Sequence, residues 1–166
     1  MSAVCRLVRD HEGMTLAEVL VALPIITIGL LALLAAIPLS TFATQEGRQT
    51  STATFLANQR LEQVRNAQWS AVPAVDQLGL SPSITAPPLA GGTTTFADEN
   101  PVAAPYTAYQ RQVRVADCGV GAGCGGITNS GMRLVTVTVT YVPPSATGKD
   151  SALPRSVMVT MLVAQR

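Results

Sequence analysis

The chain has few charges, few rings and almost no histidine. Charged residues make up 13% of its 166 residues, about half the usual share of a soluble domain. Aromatic residues are 4%, too few for the stacking platforms that hold single-stranded nucleic acid. A formal net charge of +1 supplies no field to gather a polyanion. The single histidine, His11, lies near the N-terminus, so beyond it no imidazole can act as general base or zinc ligand. Gly119, Gly121, Gly123, Gly125 and Gly126 are not followed by Gly-Lys-Ser/Thr, which excludes a phosphate loop and leaves a flexible hairpin tip. No nucleophile–base arrangement appears, and the neighbours Asp98 and Glu99 read as a solvated acidic pair in a Pro-rich loop. No enzyme activity, metal or cofactor is expected.

The charge deficit is local. From Val19 through Gln45 there is no charged residue. The run Val19 to Ala43 is long enough to span about 30 Å of hydrocarbon, and it is longer than a secretory signal core. Arg6 and Arg9 precede it, while Arg48 follows with Glu46 beside it. That bias sets the N-terminus in the cytoplasm and the C-terminal part outside. Glu18 stands at the start of the run, where a carboxylate beside lipid is costly without a partner and therefore marks a functional candidate. Thr15 and Glu18 also fit a helix capping box, which needs no partner chain.

Residues 1–13 carry Arg6, Arg9, Asp10, His11 and Glu12 and stand apart as a charged leader. Residues 14–68 read as one long helix, with 14–45 apolar on all faces as in a membrane span or filament core. Its second part is amphipathic, with a stripe of Ala53, Ala57, Leu61, Val64 and Gln68. Pro24 and Pro38 predict bends, with Gly29 adding flexibility. Residues 69–108 form a Pro/Gly-rich connecting loop with short regular pieces only. Residues 109–166 alternate with period two over Tyr109 to Ala116, Arg133 to Val142 and Ser156 to Val163, which predicts an antiparallel β-sheet. The class is α+β, a long N-terminal helix packed on a small antiparallel sheet. Arg111, Arg114 and Arg133 are expected near one another on it, as a solvated strand face rather than a nucleic-acid patch.

The segment Gly13, Met14, Thr15, Leu16, Ala17, Glu18, then Val19, Leu20, Val21, Ala22 and Leu23, resembles the N-terminus of type IV pilin precursors and type II secretion pseudopilins. That family has a short charged leader, a glycine, an aromatic residue or methionine, Thr or Ser, Leu, an aliphatic residue, Glu and an apolar helix. Met14 and Ala17 depart from the commonest residues at their positions. A looser likeness to the helix of minor pilins covers Phe55 to Arg65. The pilin-like fold expected from the resemblance agrees with the class read from the periodicities.

The resemblance implies cleavage after Gly13 by a prepilin peptidase, N-methylation of Met14 and a role for Glu18 in assembly. It implies an inner-membrane precursor with one membrane pass and a periplasmic C-terminal domain. That precursor meets lipid and an assembly platform, then joins other pilins or pseudopilins in a filament. Loss of the leader removes Cys5 and leaves Cys118 and Cys124, a pair that can close a small disulfide loop if its flanking strands form a hairpin. The closest form is a PilV-type minor pilin of a type IV pilus. The alternatives are a type II secretion pseudopilin and a single-span, membrane-anchored extracytoplasmic binding module. A conventional signal peptide cut near Ala36 is a further alternative for the N-terminus. Nucleic acid is not expected as a partner.

Overall fold

A computed structural model describes residues 15–143 and 153–165. One long helix, α1 (Leu16–Asn66), precedes two two-residue strands, β1 (Leu89–Ala90) and β2 (Thr93–Thr94). Three longer strands follow, β3 (Tyr109–Asp117), β4 (Met132–Tyr141) and β5 (Arg155–Ala164). They form one antiparallel sheet in the order β3-β4-β5. The class is α+β.

The chain divides into two compact units, residues 1–41 and 42–166. In the first, the described large apolar side chains of α1 are exposed. Pro24 and Pro38 lie inside the helix, which continues past both. The Thr27 hydroxyl donates to the carbonyls of Leu23 and Pro24, and Thr41 donates to Pro38. Folding these hydroxyls back on the backbone satisfies them within the helix itself.

In the second unit the core forms between α1 and one face of the sheet. Ala53, Leu56, Ala57, Leu61 and Val64 recur at helical spacing and are buried against Val113, Val115, Val135, Val137 and Val139. Gln68, expected in that stripe, lies beyond the helix and is exposed, while Leu56 belongs to it. The helix stops at Asn66 because the next amides have other partners. Ala67 N–H donates to Val64 in a tightened turn, and Gln68 N–H donates to the Gln77 side chain.

The alternation along β4 is one of burial. Arg133, Val135, Val137, Val139 and Tyr141 point into the core, and Thr136, Thr138 and Thr140 point away. Trp69, Leu78, Phe96 and Val102 are buried in the same core. Gly91 and Gly92, both with positive φ, turn β1 into β2 as the two-residue hairpin requires. At Gly79 a Cβ would meet the Leu89 backbone at 2.7 Å, so the loop closes on itself only through glycine.

Candidate functional site

The proposed cleavage and methylation residues, Gly13 and Met14, lie outside the described residues. The structure begins on the cap of α1. The Thr15 hydroxyl accepts from the Glu18 amide at 3.3 Å, and the Glu18 carboxylate accepts from the Thr15 amide at 3.4 Å. This is a reciprocal capping box, with an acid in the first turn where the helix dipole favours it. Its bonds are long and exposed, so the carboxylate keeps capacity for a stronger cation. Among the described residues, α1 is the one helix long and apolar enough to cross a membrane.

The charges of the second unit do not form the expected cluster. Arg111 and Arg133 face the core, whereas Arg114 lies on the other face of the sheet. Arg111 pairs with Val139 and Arg133 with Asp117, so six residues of strand, roughly 20 Å, separate them. Each arginine has a carboxylate. Arg111 Nη2 lies 2.7 Å from Glu99 and its Nη1 donates to the Leu56 carbonyl. Arg114 is 2.6 Å from Asp98, and Arg133 is 2.7 Å from Asp76 with its guanidinium 4.6 Å from the Trp69 ring centre.

Asp98 and Glu99 are therefore ion-pair partners rather than a freely solvated loop pair. Arg60 is a second cation on Glu99, at 3.3 Å. Burial lowers the Arg60 pKa, Glu99 opposes that shift and Arg111 adds to it. These pairs pin the loop to the helix and sheet. Their register signal was available in the strand phase, since Arg111 shares parity with Val113 and Arg114 does not. Asp76 carries no comparable signal, because its partner Arg133 is 57 positions away.

Cys118 and Cys124 are joined by a disulfide, and both are buried. The bonded loop connects β3 towards β4, with Cys124 and Ile127 exchanging backbone hydrogen bonds at its base. Among the described residues no group of three or more His, Cys, Asp or Glu side chains is placed to hold a metal.

No protein-family model, curated protein or solved structure matches the chain.

Proposed function

We propose that the chain is a structural subunit of the type IV pilin class, closest to a minor pilin, processed by a prepilin peptidase and assembled through its N-terminal helix. One observation carries the reading. A single helix is charge-free and exposed along its first half beyond Glu18, then becomes the core helix of an α+β domain along its second half. An apolar surface of that length needs lipid or other helices of its kind around it.

Cleavage after Gly13 creates a positive amine on Met14, four residues before Glu18 in the sequence. A carboxylate and an amine left apart in an apolar filament core are each costly to desolvate. Pairing the amine of one subunit with Glu18 of its neighbour satisfies both and fixes the axial register. The capping box holds the carboxylate at the helix start until that partner arrives. The work of the protein is assembly, and cleavage and methylation are done to it.

Shearing cells that express an epitope-tagged chain tests this reading. A minor pilin is recovered, cleaved, in the sheared surface filaments. A type II secretion pseudopilin is cleaved and stays with the envelope. Uncleaved protein confined to the membrane supports the anchored binding module instead.

A further inference from the structure

The two edges of the sheet are treated differently. The outer edge of β3 is closed by the connecting loop. Arg111 exchanges backbone hydrogen bonds with Glu99, Ser81 N–H donates to the Val115 carbonyl, and Val102 N–H donates to the Tyr109 carbonyl. Those bonds fix the phase of the whole sheet, because antiparallel strands alternate their backbone direction residue by residue. The odd residues of β3 face the loop, so its even residues bond the even residues of β4. The odd residues of β4 then bond the odd residues of β5. The Gln165 amide donating to Gly131 continues the same phase. Ser156, Met158, Thr160, Leu162 and Ala164 are left with N–H and C=O turned to the far edge of β5, and none of these groups has a partner among the described residues.

That edge lacks the usual protection. No charge, proline or glycine occurs from Ser156 to Ala164, whereas exposed edges are normally blunted by lysine, proline or a bulge. Arg155, at one end, is held by Glu46 at 2.8 Å. The core beneath is unfinished on the same side. Inward residues on β3 and β4, such as Val113 and Val137, are fully buried, but Val157, Val159, Met161 and Val163 are only partly so. A strand added at this edge would bond the free backbone groups and cover those side chains together.

We propose that β5 is a docking edge for an extended, uncharged strand of a different chain, with apolar residues at alternate positions facing the helix side of the sheet. Strand addition of this kind takes affinity from main-chain bonds and specificity from alternate side chains. Self-pairing is the competing arrangement, since Val157 to Val163 reads similarly in both directions about Thr160. A two-fold axis there would run the helical segments 42–66 of two copies antiparallel. Chains entering one bilayer from the same side run their helices the same way. The preference for a different chain therefore rests on the membrane-anchored reading, while the open edge does not.

The test places a photoreactive benzoylphenylalanine at Met158 of the full chain in its native membranes and identifies the cross-linked peptide. The expected product joins Met158 to an extended, uncharged, alternating segment of another protein, and it disappears when Thr160→Lys is added. Amide exchange on the unmodified full chain in detergent gives the second readout. The amides of Val157, Val159 and Met161 exchange slowly and those of Met158, Thr160 and Leu162 quickly; a synthetic peptide of the captured segment slows the second set. No cross-link, a cross-link within the chain or to β5 of a second copy, capture of a charged or helical segment, or unchanged exchange with the peptide overturns the proposal. None of these results depends on where the mature N-terminus lies, so this inference and the filament reading fail separately.

Discussion

Arg111 Nη2 donates to both carboxylate oxygens of Glu99, at 2.7 and 3.0 Å, with the arginine buried beneath α1 and the glutamate on the connecting loop. The adjacent Asp98 reaches Arg114 on the opposite face of the sheet. Two consecutive acids thus fasten one loop to both faces of β3. This makes the loop part of the domain rather than a tether between helix and sheet.

Glu99→Gln leaves Arg111 buried without its anion and costs about 3 kcal/mol, the low end for breaking a buried pair, since Glu99 is partly exposed. Asp98→Asn acts on a somewhat more accessible pair, whose arginine keeps the carbonyls of Ile84, Val113 and Thr85 as acceptors, and costs less, about 1–2 kcal/mol. Urea unfolding of the two variants in the same detergent checks the order. Equal losses would contradict the difference in burial.

The packing face of α1 makes a second prediction. Leu56 is 1% exposed and its neighbour Phe55 is 55% exposed. Leu56→Ala costs roughly 2–5 kcal/mol as a core cavity. Phe55→Ala costs much less, because more than half of that side chain is already exposed beside its ring contact with Tyr106. Thermal unfolding followed by circular dichroism separates them.

The strands were legible in the sequence because Val and Thr alternate through β4 and Val recurs through β5. The helix was legible from its length without charge. The loop was not, because Leu78, Phe96 and Val102 follow no period and their burial depends on partners far along the chain. The stripe on α1 was misplaced at Gln68 because a side-chain bond to its amide, from Gln77, helps end the helix before that position. In the candidate site, the Thr15–Glu18 cap could be read from spacing alone, being local. The pairing of each arginine with a loop carboxylate could not, because it joins residues 12 to 57 positions apart.

The Cys118–Cys124 bond closes a short loop and contributes roughly 2–3 kcal/mol. Replacing both cysteines by alanine lowers the unfolding midpoint without preventing export. Thiol titration of the mature protein, denatured without reductant, gives no free thiol at either position. Two reactive thiols there would rule the bond out.

Glu18 separates capping from assembly. Glutamine keeps the capping-box hydrogen bond and loses the charge, whereas alanine loses both. Glu18→Gln is therefore processed and stable but enters filaments as poorly as Glu18→Ala. If the carboxylate served only its own helix, Glu18→Gln would assemble like the unmodified chain. The ratio of subunit in sheared filaments to subunit in the membrane pool decides the point.

The N-terminus of the mature protein tests the central claim most directly. Mass spectrometry of the N-terminal peptide from the membrane or filament fraction is predicted to begin at Met14 and to carry one methyl group on its amine. Gly13→Leu is predicted to leave the full-length precursor in the membrane. An intact Met1, a cut near Ala36 or normal processing of Gly13→Leu contradicts the account.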